Sequence, residues 1–89
     1  MKIRTVYYSS RFKVQFQALP LKIKRKAFKA EALFKVNAFH PSLRLHKLKG
    51  KLAGAWSLSV DRAHRIIFKP LKDGDVFFHS IGLHAIYED

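Results

Sequence analysis

The chain has 89 residues, a length typical of one small domain, and residues 1–89 are expected to fold as a single unit. Lys and Arg number 18 against 6 Asp and Glu, which gives a formal net charge of +12. Such an excess of like charge repels itself, and nucleic acid is the simplest polyanionic partner that compensates it. A solvated basic surface without a specific partner, or an acidic protein partner, stays open beside that interpretation.

The composition excludes several classes of catalytic and metal site. The absence of cysteine excludes disulfides and thiolate zinc sites. The 6 acidic residues are too few for the paired carboxylates of a two-metal nuclease, and the 5 histidines form no HExxH motif. We therefore expect no metal and no other cofactor.

Targeting signals are also missing from the sequence. The first five residues have neither a long apolar run nor a small-residue cleavage site, so no signal peptide is expected. No apolar stretch approaches the ~18 residues that a membrane span needs. A cytoplasmic protein without membrane contact is therefore the expectation, and the lack of cysteine permits it.

The first half of the chain predicts one strand and two helices. Residues 2–8 are rich in β-forming side chains. Ser9 and Ser10 offer an N-cap for a short helix, and Pro20 either ends that helix or begins the next one. Residues 21–38 predict a second helix with lysines on its polar faces and an apolar stripe that we expect to face the core. The stripe consists of Ile23, Ala27, Ala30 and Phe34.

The second half predicts a basic connector over 43–55 and then three strands. The strands are predicted at 56–60, 65–69 and 76–81, with a hairpin turn at 72–75. The resulting fold class is α+β, with an N-terminal strand, a two-helix hairpin and a three-stranded antiparallel meander. Both helices are expected on one face of a four-stranded sheet, which leaves the other face open.

Arg65 is the strongest candidate for a functional residue. If Ile66 and Phe68 face the helices, strand alternation directs Arg65 to the open face. A guanidinium on a rigid central strand can hold two phosphate oxygens without losing its charge. The alternative interpretation pairs Arg65 with Asp61 or Asp75 as a structural ion pair.

Further basic and titratable residues lie at the ends of the predicted strands. His84 can transfer a proton near neutral pH, and Tyr87 can do so if its pKa is lowered. The alternative is an exposed histidine and an aromatic lid. In the connector, His46, Lys47 and Lys49 can neutralise a phosphate or hold an RNA backbone. For Arg44 and Lys51 we favour solvated surface charge.

The ordered segments resemble the RelE/ParE superfamily of small toxins from bacterial toxin–antitoxin systems, and most closely its YafQ-like and RelE/StbE-type branch. No single segment is specific, but their order and spacing together are. The segments are His40-Pro41-Ser42-Leu43, His46-Lys47-Leu48-Lys49-Gly50, Trp56-Ser57, Arg65-Ile66-Ile67-Phe68 and Ile81-Gly82-Leu83-His84.

The resemblance implies the toxin of a type II system that cuts messenger RNA on the ribosome. The RNA 2′-hydroxyl attacks the adjacent phosphate and no metal takes part. Arg65, His84, Tyr87 and His46 match the family's catalytic positions, and Lys47 and Lys49 resemble its RNA-contacting residues. Lys22, Lys26 and Lys29 on the second helix are expected to bind ribosomal RNA.

The sequence also departs from the YafQ-like pattern. That branch has a second histidine and an aspartate near the second and third strands, where this chain has Ser59 and Ala63. ParE-type relatives share the fold, lack the ribonuclease site and inhibit DNA gyrase, so a gyrase inhibitor is the alternative function. A third possibility is a family member that only binds its antitoxin. The resemblance implies an acidic antitoxin as partner, in a toxin–antitoxin hetero-oligomer.

Overall fold

The computed structural model describes residues 2–83, which form five strands and two helices. Three single 3₁₀ turns lie at Pro41–Leu43, Gly50–Leu52 and Lys72–Gly74. The order of the elements confirms the predicted α+β class. The elements are β1 (Val6–Tyr8), α1 (Ser10–Gln17), α2 (Leu21–Val36), β2 (His46–Lys47), β3 (Trp56–Ser59), β4 (His64–Pro70) and β5 (Val76–Leu83).

The sheet has five strands in the order β1-β5-β4-β3-β2, with β1 parallel to β5 and the other pairs antiparallel. The prediction of four strands was wrong by one. His46 and Lys47 pair with Ser57 and Trp56, inside the segment that was predicted to be a connector. A two-residue strand is too short to show alternation, and its basic side chains resemble a solvated loop.

Both helices lie on one face of the sheet, as predicted. Phe12 of α1 and Phe34 of α2 both contact Phe78 of β5, with ring centroids 5.5 and 6.0 Å apart. Ala27 and Ala30 are buried beside Phe34, which confirms most of the predicted apolar stripe of α2. Small side chains at these positions let the helix approach the sheet closely.

Local contacts fix where α1 begins and how it meets the sheet. The Ser9 hydroxyl accepts a hydrogen bond from the Phe12 amide at 2.9 Å, which is the predicted N-cap. The same hydroxyl donates to the His79 carbonyl of β5 at 2.6 Å. The cap therefore also anchors the helix to the sheet.

A β-bulge interrupts the pairing of β4 with β5. Ile67 pairs with Ser80 and Phe68 pairs with Phe78, which leaves His79 as the extra residue. The bulge resets the alternation, so Phe78 and Ile81 both join the core cluster under the helices. Ser80 consequently shares the opposite face with Ile67.

The predicted turn at 72–75 joins β4 to β5, and it also holds the N-terminal segment. Asp73 and Gly74 have φ values of 58° and 83°. A Cβ at Gly74 would overlap the Lys2 carbonyl oxygen, so glycine is required there. Arg4 donates two hydrogen bonds of 2.9 Å to the Asp75 carboxylate.

Within residues 2–83, neither helix is long and apolar enough to cross a membrane.

Candidate phosphate-binding site

The face of the sheet opposite the helices is polar, yet its centre is buried. Its buried side chains are Ser57, Ser59, Arg65, Ile67 and Ser80. The expectation of an open face is therefore wrong for the middle of the sheet. Apart from Ile67, these side chains carry hydrogen-bonding groups, and none belongs to the apolar core cluster under the helices.

Arg65 projects from this face, as the alternation of β4 predicts, because Ile66 and Phe68 point into the core. Only 8% of the Arg65 surface is exposed. Its Nε and Nη1 atoms are buried and have no hydrogen-bond partner among the described residues. Buried donors are normally paired, so a guanidinium in this state is suited to an acceptor supplied by a ligand.

Neither acidic residue proposed as a structural partner binds Arg65. Asp75 is held by Arg4. Asp61 accepts hydrogen bonds from the amides of Ala63 and His64 at 2.9 and 2.8 Å, and lies 3.5 Å from the Lys26 ammonium. The interpretation of Arg65 as a structural ion pair therefore finds no support in residues 2–83.

Arg65 opens into a cavity of about 250 Å³ at the end of the sheet nearest the Pro41–Leu43 turn. A second cavity of about 320 Å³ continues it toward α2. The two cavities share Ser42, Ser59 and Asp61. The first cavity is also lined by Arg44, Arg62 and Arg65, and the second by Lys26 and Lys29.

The charges around the first cavity are unbalanced. Burial lowers the pKa of Arg65, and the positive charge of Arg44 lowers it further. A guanidinium remains protonated even so, because its ordinary pKa is far above neutrality. Burial acts to raise the pKa of Asp61, but hydrogen bonds from His64 and Ala63 bring it below its ordinary value. Three guanidinium groups therefore face one ionised carboxylate.

His46 lies on the same face as Arg65. His46 pairs with Ser57 of β3, and Ser59, two residues further along β3, pairs with Arg65. Side chains two residues apart on a strand project to the same face. Strand spacing places the Cα atoms of His46 and Arg65 about 12 Å apart. The side chain of His46 is exposed, with Nδ1 3.5 Å from the Arg44 carbonyl oxygen. Two long side chains on one face can reach a group held between them.

The predicted lysines are not all gathered at this face. The Lys47 ammonium lies 5.5 Å from the centre of the Trp56 ring, and Trp56 packs against the core on the helix side. Lys47 therefore points away from Arg65. Lys49 is exposed after β2. On α2, Lys26 and Lys29 line the second cavity, and Lys22 is exposed one turn earlier.

Two predicted catalytic residues, His84 and Tyr87, lie outside the described residues. Over residues 2–83, no three His, Asp or Glu side chains come close enough together to hold a metal ion.

Comparison with known proteins rests on solved structures, since no family model and no curated protein matches the sequence. YafQ from E. coli superposes with a TM-score of 0.72 at 23% identity, covering 93% of this chain and 96% of that chain. The YoeB/ParE toxin from Agrobacterium tumefaciens gives 0.76 at 18% identity, with 91% and 99% covered. The chain has the RelE/ParE toxin fold.

A third similar structure is the E. coli DinJ–YafQ toxin–antitoxin complex, with a TM-score of 0.70, 24% identity, and 97% of this chain and 98% of that chain covered. The RelE/ParE fold thus spans almost the whole chain, and the resemblance that the sequence motifs suggested is confirmed for the fold.

Sequence reasoning missed part of the cavity that this RelE/ParE fold creates. Arg44 was interpreted as solvated charge, and Arg62 was not considered. Both are exposed, yet both line the cavity of Arg65. The left-handed residue Arg44, which ends the Pro41–Leu43 turn, has no signal in the sequence that would place it at this cavity.

Proposed function

We propose that the protein is the toxin of a type II toxin–antitoxin system and acts as a metal-independent messenger RNA endonuclease on the ribosome, in the bacterial cytoplasm. The observation that carries the proposal is Arg65, a buried guanidinium with two unpaired donors on a central strand. The RelE/ParE fold and the net charge of +12 support it.

In the proposed reaction the 2′-hydroxyl oxygen attacks the adjacent phosphorus. The O2′–P bond forms, the P–O5′ bond breaks, and the products are a 2′,3′-cyclic phosphate and a 5′-hydroxyl. Arg65 donates to the non-bridging oxygens, whose negative charge grows in the transition state. One group removes the 2′-hydroxyl proton and another protonates O5′, and His46, His84 and Tyr87 are the candidates for these roles.

The ribosome supplies much of the positioning, so that a sparse set of catalytic residues suffices. Lys22, Lys26 and Lys29 form one stripe on α2 that binds ribosomal RNA phosphates, and Lys47 and Lys49 bind RNA from the β2 side. Lys26 must exchange its contact with Asp61 for a phosphate. Ribosome binding should weaken steeply with added salt. If ribosome binding does not change with salt concentration, the proposed lysine contacts to RNA phosphates are wrong.

The proposed protein partner is an acidic antitoxin, as the complex of YafQ with DinJ suggests. An apolar groove of about 290 Å³ between β1, α1 and α2 is the surface for an amphipathic acidic segment. Phe28 is 63% exposed there, and Lys24 lies 6.0 Å from the Phe16 ring at its edge. Co-purification with the untagged product of the neighbouring gene tests this partner. Equal retention by a Phe28→Asp variant would exclude the groove.

The nuclease itself is tested by inducing the wild type and Arg65→Ala in cells and mapping messenger 5′ ends. Loss of an oxyanion donor lowers a rate by about 100- to 1000-fold, so cleavage should be abolished in the variant. Arg25→Ala is the matched control, because Arg25 is an exposed arginine on α2 away from the cavity. Equal cleavage by wild type and Arg65→Ala would overturn the assignment of Arg65.

Gyrase inhibition without catalysis is the second candidate function. Ser59 and Ala63 stand where the YafQ-like pattern has acid–base residues, so the described part of the chain holds an incomplete set. A supercoiling assay with purified gyrase separates the two functions. Inhibition in that assay, with messengers left intact in cells, would favour the gyrase inhibitor.

A further inference from the structure

Arg44, Ser59 and Arg65 line one cavity at the end of the sheet. Ser59 pairs with Arg65 across β3 and β4, so their side chains project to the same face. Arg44 directly follows the Pro41–Leu43 turn, two residues before β2, and its positive charge is close enough to lower the pKa of Arg65.

Ser59 and Arg65 have buried polar atoms that residues 2–83 do not satisfy. The Ser59 hydroxyl and the Arg65 Nε and Nη1 atoms are buried without a partner in residues 2–83. Asp61, whose carboxylate lines the same cavity, is already bound to two amides, to the His64 ring and to Lys26. Buried donors without an acceptor, in a cavity lined by further guanidinium groups, suit an anion with several oxygens.

Two positive charges, those of Arg44 and Arg65, line this cavity, and no hydrogen bond or ion pair joins either side chain to a carboxylate of residues 2–83. Arg44 has a left-handed backbone, with φ 44° and ψ 48°, which is uncommon for any residue except glycine. A hydrogen bond of 3.1 Å from its amide to the Pro41 carbonyl keeps it in that conformation. The turn at Pro41–Leu43 thus fixes Arg44 beside Arg65, although the two guanidinium groups repel each other.

We propose that Arg44, Ser59 and Arg65 form a clamp for one phosphoryl group, which under the proposed function is a phosphodiester of the bound RNA. Arg44 supplies the second guanidinium, and Arg62 adds positive charge at the edge of the cavity. The clamp would act on any phosphoryl oxyanion of suitable size. It therefore can be tested with inorganic phosphate alone, without ribosomes or cleavage.

The test is the thermal unfolding midpoint of the purified protein against phosphate concentration, with ionic strength held constant by chloride. Wild type should be stabilised by phosphate through mass action, and Arg25→Gln should behave identically. Arg44→Gln should bind phosphate about 10-fold more weakly, since one charge-assisted contact is lost. Without phosphate, the same variant should unfold at a higher temperature than wild type, because a repulsion is removed.

This pair of opposite effects distinguishes a ligand clamp from a structural role, which would lower the midpoint in both buffers. Arg44→Lys keeps the charge but loses the planar fork, so its phosphate affinity should lie between wild type and Arg44→Gln. The proposal is overturned if phosphate does not stabilise the wild type at equal ionic strength. It is also overturned if Arg44→Gln keeps the wild-type phosphate affinity.

A second arm identifies the source of the phosphoryl group. A short oligonucleotide with 2′-deoxy sugars lacks the attacking 2′-hydroxyl and cannot be cleaved, but it presents the same phosphodiesters. Competition between this oligonucleotide and phosphate in the wild type, weakened in Arg44→Gln, supports a phosphodiester clamp. Phosphate binding without competition would overturn the RNA ligand. Phosphate binding that depends on Arg44, in a protein that cuts no messenger in cells, would support the clamp and reject the nuclease function alone.

Discussion

The two faces of the β-sheet differ in what their buried side chains do. Under the helices, Phe34, Phe68 and Phe78 are fully buried against one another, with ring centroids 4.9 to 6.2 Å apart. On the opposite face, Ser59 and Arg65 are almost as deeply buried but leave three polar atoms unpaired. The aromatic packing on the first face stabilises the fold, whereas the three unpaired polar atoms on the second are expected to cost stability.

This difference separates the face of the sheet that stabilises the fold from the face for which we propose a function. Aromatic packing stabilises the sheet and fixes the β4 backbone. That rigid strand then holds Arg65 in a position that the rest of residues 2–83 does not satisfy. Buried donors without acceptors are costly and persist where a ligand uses them. The contrast predicts opposite signs for substitutions on the two faces.

The largest effect is expected on the helix side. Phe34→Ala should lower the free energy of unfolding by about 3 to 5 kcal/mol, because it removes a fully buried ring and leaves a cavity. Urea denaturation followed by circular dichroism measures the loss. Phe39→Ala is the control, since Phe39 is 60% exposed and should change stability by less than about 1 kcal/mol. Equal losses in both variants would contradict the described core.

The next effect concerns the turn between β3 and β4. Asp61→Ala should cost about 2 kcal/mol, because two amides and the His64 ring lose their acceptor. Asp61→Asn keeps an oxygen acceptor and should cost less. The hydrogen bonds from His64 and Ala63 outweigh burial and lower the pKa of Asp61 in the folded state.

The lowered pKa of Asp61 gives this prediction a pH dependence. The carboxylate contributes stability above its unfolded pKa of about 3.9, and the contribution disappears as pH falls through the lower folded pKa. Denaturation at a series of pH values should therefore show the difference between wild type and Asp61→Asn shrinking below about pH 4. A difference independent of pH would mean that the Asp61 charge is not involved.

A smaller effect of opposite sign is expected on the polar face. Arg65→Met should raise the free energy of unfolding by about 1 kcal/mol, because an apolar chain replaces a buried charge whose donors are unpaired. Arg4→Met should instead lower stability, since it removes the two hydrogen bonds to Asp75. Chemical denaturation of the two variants side by side checks the contrast. Destabilisation by Arg65→Met would show that Arg65 has structural partners.

The smallest effect lies at the bulge of β5. Burial lowers the pKa of His79, and the charges of Arg11 and Lys69 lower it further. The unfolded chain therefore binds this proton more readily, and stability should fall as pH drops through about 6.5. His79→Gln should match wild type at pH 8 within about 0.5 kcal/mol and should lose less stability toward pH 5.5. Identical pH profiles would remove His79 as the cause.

Helix periodicity and strand alternation predicted the features of the fold that depend on local sequence. The stripe that includes Ala27, Ala30 and Phe34 predicted the buried side of α2, and alternation predicted the direction of Arg65. Helix ends were placed too late, since α2 ends at Val36 rather than 38. Strand β2 was missed because its two residues pair with β3 across the loop, and such a non-local contact leaves no periodic signal.

The candidate site was only partly predictable for the same reason. Arg65 carries its own signal in its strand. Arg44 reaches the cavity from the end of the Pro41–Leu43 turn, where it has a left-handed backbone that the sequence does not reveal. Lys47 is the opposite case. The sequence suggested an RNA-contacting residue there, but β2 directs its side chain toward Trp56 and away from Arg65.

The most direct test of the account is the map of messenger 5′ ends in cells that express Arg65→Met at wild-type levels. This variant separates function from folding, because it should be at least as stable as wild type. The account predicts new 5′ ends with wild type and with Arg25→Ala, and none with Arg65→Met. Wild-type cleavage by a stable Arg65→Met protein would contradict the central claim that the buried guanidinium is kept for a phosphate.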